Sequence, residues 1–159
     1  FLYQKYISYF MQKCTLALGC FWKPEENFKS KTGIILTEVG YAGGQSDKVT
    51  YEEVCSGTTG HAEVVRLTFD EKQISYKKIL DLFFKMHDPT QKDMQFPDIG
   101  TQYRSEIFYE NEDQRIEAHE ILKEYNKKFN GKIKTNISKI NNYCKAEDYH
   151  QKYIEKNRR

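Results

Sequence analysis

The sequence predicts an α+β fold, an α/β sandwich in which helices pack on a mixed, mostly antiparallel sheet with a ferredoxin-like core. Strand patterns and helix patterns alternate along the chain, but without the strict strand–helix–strand regularity of a purely parallel sheet. The 159 residues suit one hydrophobic core, and 12 Tyr and 10 Phe residues supply apolar area to bury. We therefore expect a single domain over residues 15–159, preceded by an N-terminal extension, 1–14, of unclear status.

Three strand patterns and two helix patterns fill the first half of the chain. Pro24 favours a first helical turn, and Thr50 with Glu53 forms a capping-box pattern. Alternation from residue 61 places Glu63 beside Val65 on the more apolar face of its strand. In order, we predict a strand at 15–19, a turn at 20–23, a helix that ends at Gly33, a strand at 34–41, a loop at 43–47, a short helix from Thr50 to Gly57 and a strand at 61–69.

The second half contains two longer helix patterns and one long loop. Ser75 is a suitable cap for a helix whose apolar residues recur at helical spacing until Asp88. Asn111 with Gln114 begins a second helix. Its predicted inward face consists of Ile116, His119, Leu122, Tyr125 and Phe129. In order, we predict a helix from Ser75 to Asp88, a loop at 88–102, a strand at 104–109, a helix from Asn111 to Gly131, a strand at 133–140 and a helix at 146–157.

The composition excludes several classes of partner and cofactor. Lys plus Arg number 25 and Asp plus Glu 23, so the formal net charge of +2 gives no strong field for nucleic acid or an anionic membrane. No apolar run reaches the length of a membrane span or a signal-peptide core, so we expect a cytoplasmic protein. Four cysteines without a C-x-x-C pair indicate neither a disulfide framework nor a zinc ribbon. The sequence contains neither a glycine fingerprint for nucleotides nor a cluster of metal ligands, so we predict no bound cofactor.

Cys20 is the most informative single residue in the sequence. A thiol in a strand-to-helix turn lies near backbone N–H groups and the positive end of the helix dipole, which lower its pKa and favour a nucleophilic thiolate. The alternative, a buried structural cysteine, stays open on position alone. Phe21 and Trp22 favour the nucleophile, because two adjacent aromatics in a tight turn are suited to wall an apolar pocket.

Glu63 is the second candidate. Burial without a cation raises the pKa of a carboxyl group, so that it stays protonated near neutrality and acts as an acid. The alternative is a glutamate at a strand end that reaches solvent beside Gly60. His61 is interpreted as a packing or capping residue. A cysteine hydrolase that uses Cys20 and His61 remains an alternative, although the sequence locates neither an orienting third residue nor an oxyanion hole.

The polar segment 97–105 ends the long loop and enters a strand, which suits it to aim a carboxylate and a phenol at a pocket. Asp98 has the alternative of a simple Asx turn before Gly100. Tyr41 and Tyr51 have the alternative of core aromatics whose hydroxyls reach the surface.

Six blocks of sequence together resemble the methionine sulfoxide reductase A family. They occur in the family's order and span nearly all of residues 15–154. The blocks are GCFW (19–22), VGYAGG (39–44), TYEEVCSGTTGHAEVV (50–65), FFKMHDPTQ (83–91), DIGTQYRS (98–105) and AEDYHQKY (146–153). The resemblance implies an α/β sandwich and a catalytic domain that reduces the S epimer of methionine sulfoxide, free or in proteins.

The resemblance also implies roles for particular residues. Cys20 matches the family's catalytic cysteine, which becomes a sulfenic acid during reduction. The aromatics that match the receptors of the substrate's methyl group are Phe21 and Trp22. The groups that match those hydrogen-bonding the sulfoxide oxygen are Glu63, Tyr51 and Tyr103. Asp98 matches a carboxylate that helps hold the site through water, and an inactive sulfoxide-binding module is disfavoured because Cys20 and Glu63 are both present.

The sequence departs from common family members in the thiol that would resolve the sulfenic acid. Many members carry resolving cysteines in a Gly-rich tail, which this sequence lacks. Cys144 is our candidate resolver because it is next to the AEDYHQ block, and an external thiol is the alternative. Cys55 is interpreted as structural, and Cys14 receives no role. The implied external reductant is thioredoxin, or dithiothreitol in vitro, and we expect a monomer with no bound cofactor.

Overall fold

The computed structural model describes residues 10–158, which contain eight strands and five α-helices. The strands are β1 (Met11–Leu18), β2 (Ile34–Ala42), β3 (Ala62–Asp70), β4 (Met94–Gln95), β5 (Asp98–Ile99), β6 (Ser105–Tyr109), β7 (Asn136–Lys139) and β8 (Cys144–Lys145). The helices are α1 (Trp22–Lys29), α2 (Tyr51–Cys55), α3 (Tyr76–Met86), α4 (Glu112–Lys128) and α5 (Tyr153–Lys156), with 3-10 turns at Thr101–Tyr103 and Asp148–His150.

Six strands form one sheet in the order β7-β6-β1-β3-β2-β8. Its centre is antiparallel, and only the pairing of β6 with β7 is parallel. The central strands and helices follow the sequence β1-α1-β2-β3-α3-β6, with the sheet order β6-β1-β3-β2, which is the ferredoxin-like arrangement. The predicted α+β class with a mixed, mostly antiparallel sheet is therefore confirmed.

The main core lies between one face of the sheet and the helices α1, α3 and α4. Phe28, Phe83 and Ile121 of the helices pack with Leu16 and Val65 of the sheet, and all are buried. A smaller cluster on the opposite face joins Ala17, Ala62, Val64 and Phe108 and is covered by Ile140 and Tyr143. The part of β3 that carries Glu63 is therefore buried on both faces, which keeps its side chains away from water. No helix within residues 10–158 combines the length and apolar character needed to cross a membrane.

The first strand is longer than the sequence predicts. It begins at Met11, which pairs with Asp70 of β3, whereas we expected a start at Thr15. Residues 11–14, assigned to the N-terminal extension, thus lie in the sheet, and Cys14 is fully buried. Residues 1–9 of that extension lie outside the described residues.

The inward face of α4 differs from the predicted one. Ile116 and His119 are exposed, whereas the buried positions are Gln114, Ala118, Ile121 and Tyr125. The side-chain amide of Gln114 donates to the carbonyl oxygen of Lys13 and accepts from the N–H of Glu110, both at 2.9 Å. These bonds and the small Ala118 place this buried face of α4 against β1. Leu122 and Phe129 are only partly buried.

Three other predicted elements are shorter than the sequence suggests. Helix α1 ends at Lys29, four residues before Gly33, and the strand predicted at 133–140 covers only Asn136–Lys139. The helix predicted at 146–157 is a 3-10 turn followed by α5, because Lys152 between them has a left-handed φ of 50°. The predicted loop at 88–102 contains the β4–β5 hairpin and a 3-10 turn.

Candidate active site

Cys20 lies in the turn between β1 and α1, as predicted. Gly19 enters this turn with φ of 93°, a left-handed value that glycine adopts without strain. A Cβ at Gly19 would lie 2.8 Å from Cγ of Gln95, so the β4–β5 hairpin packs closely on the turn. The Gln95 amide accepts from the N–H of Asp88 and donates to its carbonyl oxygen, which fixes the hairpin there. The turn between β1 and α1 and the β4–β5 hairpin thus meet next to Cys20.

The Cys20 thiol is half-buried and not in a disulfide. Burial raises its pKa to about 12, and the nearby charges of Glu63 and Asp98 act in the same direction. A hydrogen bond from the backbone N–H of Trp22 lowers the pKa, but by less than burial raises it. The predicted lowering of this pKa is therefore wrong, because desolvation outweighs the backbone donor at the start of α1. The thiol is protonated at neutral pH.

Glu63 is 2% exposed on β3, on the same side as Cys20's turn. Its Oε1 accepts a hydrogen bond of 3.2 Å from the backbone N–H of Phe21, the residue after the cysteine. Burial raises the pKa of this carboxyl group to about 8, and Asp98 contributes to the rise. The expectation that Glu63 is buried is confirmed, and the exposed alternative is wrong. The raised pKa agrees with the predicted role as an acid, which stays a prediction.

Two phenols and Asp98 belong to the same electrostatic neighbourhood. Tyr51 begins α2 behind the capping box of Thr50 and Glu53, and Tyr103 ends a 3-10 turn. Burial raises the pKa of both phenols, and the charge of Glu63 adds to each rise. Asp98 of β5 acts on Tyr103 as well as on Cys20 and Glu63. Both phenols therefore remain protonated and keep a proton to donate.

Phe21 and Trp22 form an aromatic wall beside the cysteine. The Phe21 ring is 1% exposed and lies 5.7 Å from the Tyr41 ring and 5.2 Å from the His150 ring. The half-buried Trp22 ring stacks on Tyr153, with centroids 3.8 Å apart and planes 8° apart. Neighbouring rings thus hold both aromatics in place in the residues that follow Cys20, and their role as the wall of a pocket stays a prediction.

Residues 146–152, which we call the C-terminal strap, bond to β2 and to the start of α2 beside the site. Periodicity in the sequence did not reveal this role. Glu147 accepts from the hydroxyl of Tyr41 and from the N–H of Tyr51, both at 2.8 Å. Gln151 bonds both the N–H and the carbonyl oxygen of Val39, at 2.9 Å each. The one signal for this segment in the sequence was its inclusion in a family block.

The remaining cysteines and His61 occupy different surroundings. Cys144 is half-buried on β8, with Sγ 3.6 Å from the carbonyl oxygen of Val49. Cys55 is exposed at the end of α2, so the burial that its interpretation as structural assumed is absent.

The ring of His61 bonds the carbonyl oxygen of Asn142, 3.0 Å away. A Cβ at Gly44 would lie 2.1 Å from Nδ1 of His61, so this ring fills the space beside the glycine. These contacts support the packing interpretation and disfavour the hydrolase pair. Within residues 10–158, no group of three or more His, Cys, Asp or Glu side chains is placed to hold a metal ion.

Comparisons with known proteins agree on one family. The family model described as peptide methionine sulfoxide reductase matches residues 12–159. A peptide methionine sulfoxide reductase MsrA of Pelagibacter ubique is 55% identical over 146 residues, which cover 92% of this chain and 99% of that protein. The reduced form of Mxr1 from Saccharomyces cerevisiae superposes with a TM-score of 0.89 at 39% identity, covering 92% of this chain and 86% of that one. The yeast protein in complex with Trx2 matches at a TM-score of 0.64 and 28% identity, covering 90% and 84%.

Proposed function

The chain belongs to the peptide methionine sulfoxide reductase family, and we propose that it reduces the S epimer of methionine sulfoxide, free or in proteins, to methionine. The observation that carries this proposal is a buried carboxyl group, Glu63, whose pKa is about 8 and which is bonded to the residue next to a free thiol. A neutral acid beside a nucleophile is the pair that a sulfoxide requires, because its oxygen must be protonated before it can leave sulfur.

Glu63 and the two phenols activate the substrate in this proposal. At pH 7 the carboxyl group is mostly protonated and can donate to the sulfoxide oxygen. Tyr51 and Tyr103 donate hydrogen bonds to the same oxygen, which stabilises the charge that develops on it during attack. Glu63 is almost fully buried, so a hydrogen bond that it donates is stronger than it would be in solution.

Cys20 is the nucleophile and starts as a neutral thiol. As its sulfur attacks the sulfoxide sulfur, the thiol must lose its proton, and Glu63 becomes a carboxylate when it protonates the oxygen. The Glu63 carboxylate can then act as the base. This one residue thus donates a proton to the sulfoxide oxygen and accepts one from the thiol. The sulfoxide is reduced to the thioether and the Cys20 thiol is oxidised to the sulfenic acid.

Attack forms a bond between the Cys20 sulfur and the substrate sulfur, and the S–O bond then breaks as the oxygen takes a second proton from Glu63 and leaves as water. That water adds to the Cys20 sulfur, the S–S bond breaks with its electron pair returning to the substrate sulfur, and Glu63 takes back the released proton. The net result is balanced: one oxygen is lost from the sulfoxide and one is gained by the cysteine.

The aromatic wall accounts for the choice of epimer. Sulfoxide sulfur is pyramidal, with a methyl group, an oxygen and the rest of the substrate as its three substituents. The methyl group packs on Phe21 and Trp22, the oxygen faces Glu63, and Cys20 approaches from the third side. With these three positions fixed, the remaining substituent fits for only one configuration at sulfur. We assign that configuration to the S epimer because the chain belongs to the family.

A second thiol completes the cycle. The sulfenic acid condenses with a thiol to give a disulfide and water, and a dithiol such as thioredoxin then reduces the disulfide by exchange. We propose Cys144 as this thiol. Its support is that Cys144 pairs with Tyr41 across β8 and β2, and Tyr41 pairs with Glu63 across β2 and β3, so the three lie in one row of the sheet. The yeast relative in complex with Trx2 supports thioredoxin as the reductant.

An epimer-resolved assay tests the proposal. The protein is incubated with a mixture of the S and R epimers of a blocked methionine sulfoxide and with dithiothreitol, and the epimers are separated by chiral chromatography. We expect consumption of the S epimer alone and no consumption by Cys20→Ser. Intact S epimer with the wild-type chain would refute the function, and release of a cleaved acyl product would favour the hydrolase.

We also propose that the enzyme acts as a cytoplasmic monomer without a bound cofactor.

A further inference from the structure

Arg104, the residue after the phenol Tyr103, forms hydrogen bonds in three directions. Its Nε donates to a carboxylate oxygen of Glu106, 2.7 Å away. Its Nη1 donates to the carbonyl oxygen of Thr101 at 2.9 Å, and its Nη2 donates to the carbonyl oxygen of Gly60 at 3.1 Å. The guanidinium group thus connects a strand of the sheet to two loops that lead into the candidate active site.

Glu106 fixes the guanidinium group to the sheet. It lies on β6, where it pairs with Ala17 of β1 and with Asn136 of β7, and it is 6% exposed. Its second carboxylate oxygen accepts from the hydroxyl of Ser138 on β7. The side chain of Arg104 is 13% exposed, so solvent screens this ion pair only weakly. A carboxylate on a central strand that also bonds to the next strand is a rigid anchor for the arginine.

The two loop carbonyls belong to segments that carry two groups of the site. Thr101 begins the 3-10 turn that ends at Tyr103. Its carbonyl oxygen also accepts from the backbone N–H of Arg104 at 3.2 Å, so one arginine holds this turn through main chain and side chain together. Gly60, which has a left-handed φ of 75°, lies three residues before Glu63. Arg104 therefore relates the position of the phenol to that of the acid.

A third loop packs against the guanidinium group. A Cβ at Gly43 would lie 2.9 Å from Nη2 of Arg104 and 2.8 Å from the ring of Phe108. Gly43 also has φ of 91°, a left-handed value that glycine adopts without strain. Close packing on this side and the three hydrogen bonds together restrict the guanidinium group to one position.

We propose that Arg104, anchored by Glu106, is a positioning residue that holds the Tyr103 phenol at the distance from Glu63 at which both groups can donate to the sulfoxide oxygen. This inference rests on the proposed function. A phenol that stabilises a developing charge must be in place before the reaction, because a hydrogen bond weakens steeply as its geometry departs from the optimum. The 3-10 turn alone holds the phenol weakly, since such turns have poor hydrogen-bond geometry. Arginine suits the role because its planar fork directs N–H groups to several acceptors at once.

A comparison in two backgrounds separates positioning from structural support. Arg104→Lys keeps the positive charge but replaces the fork by one ammonium group. It is made in the wild-type chain and in Tyr103→Phe, which lacks the hydroxyl that Arg104 is proposed to position. Arg115→Lys, at an arginine of α4 that is also paired with a glutamate, is the matched control. The measurements are methionine release in a single turnover at saturating S sulfoxide peptide, hydrogen exchange of backbone amides by peptide mass spectrometry, and thermal unfolding by circular dichroism.

We expect Arg104→Lys to slow methionine release about tenfold in the wild-type chain, because the displaced phenol donates less well to the sulfoxide oxygen. In Tyr103→Phe, where that hydrogen bond is already absent, the same substitution should cost less than about twofold. The backbone amides of residues 58–62 and 100–104 should exchange faster in Arg104→Lys than in the wild type. Arg115→Lys should release methionine as the wild type does and leave the exchange of both segments unchanged.

Wild-type release by folded Arg104→Lys would overturn the proposal. An equal loss in both backgrounds would also overturn it, since Arg104 would then act by a route other than Tyr103. If Arg104→Lys does not fold, Glu106→Ala, which removes the anchoring carboxylate, decides by the same comparison. A loss confined to the chain that retains Tyr103 then supports the proposal, and no loss or an equal loss overturns it.

A wild-type chain without sulfoxide reductase activity would instead refute the proposed function. Hydrogen exchange would still test the positioning of the turn in that case. Faster exchange of residues 100–104 in folded Arg104→Lys would support the hold of Arg104 on the turn, and unchanged exchange would overturn it.

Discussion

Replacement of Glu63 by Gln should remove activity and make the folded protein more stable at alkaline pH. The amide keeps an oxygen that can accept from the N–H of Phe21 and keeps the shape of the side chain. It cannot act as an acid of suitable pKa, so methionine release in a single turnover should fall by about 100-fold or more. The same substitution removes a carboxyl group that the folded protein ionises reluctantly.

The size of the stability effect follows from the pKa. The folded state raises the pKa of Glu63 from the ordinary 4.5 to about 8. A group with a raised pKa favours folding most below 4.5, and that contribution is lost as the pH rises toward 8. At about 1.4 kcal/mol per pH unit, the full loss is on the order of 5 kcal/mol. Relative to Glu63→Gln, the wild-type protein should lose several kcal/mol of unfolding free energy between pH 4.5 and 8.

Urea unfolding of both proteins at pH 5 and pH 8.5 provides the measurement. The difference in unfolding free energy between Glu63→Gln and wild type should grow by several kcal/mol from the lower to the higher pH. Glu120→Gln, an exposed position on α4, should show no such growth. Parallel pH dependence of Glu63→Gln and wild type would refute the argument, because it would mean that Glu63 titrates in the folded protein as it does in the unfolded chain.

Three further predictions concern the same site. Single-turnover methionine release should stay level from about pH 6 to 7.5 and fall above about pH 8 as Glu63 ionises; a stopped-quench profile that is level to pH 9.5 would contradict this. Cys144→Ser should still release methionine in one turnover but lose the protein disulfide seen by intact mass and most turnover with thioredoxin, while Cys55→Ser recycles as wild type does; normal recycling by Cys144→Ser would rule out this resolver. Gly19→Ala should lower the free energy of unfolding by about 1–3 kcal/mol and reduce activity, because its Cβ would lie 2.8 Å from Gln95 and its φ is left-handed; Gln95→Ala added to Gly19→Ala should recover part of the loss in urea unfolding, and no recovery would place the cost in the backbone alone.

Structural features that depend on residues close together in the sequence were predicted correctly. The capping box at Thr50 and the Ser75 cap are present, and the alternation through Glu63 correctly places this carboxyl group in the interior. Each of these features depends on residues a few positions apart, so a single sequence displays them. The α+β class with a ferredoxin-like core was predicted, whereas the order of the strands in the sheet was not and is known only from the structure.

Features that depend on distant partners were not predictable from local patterns. The helix expected at 146–157 is broken because its polar side chains bond to β2 and to Tyr51 instead of to water, as Glu147 and Gln151 show. The pKa of Cys20 was misjudged for a similar reason. The turn that supplies the Trp22 N–H is visible in the sequence, but the burial that outweighs it depends on the folded chain, in which residues as distant as Glu63 and Asp98 come near the thiol.

The most direct test of the account is to find where the oxygen-accepting sulfur lies after one turnover. The double variant Cys55→Ser with Cys144→Ser is mixed with an excess of the S sulfoxide, without reductant, and a sulfenic-acid reagent is mapped by peptide mass spectrometry. The account predicts about one methionine released per chain and the label on Cys20 alone. Methionine release with Cys20 unlabelled and unoxidised, or with the label on Cys14, would contradict it.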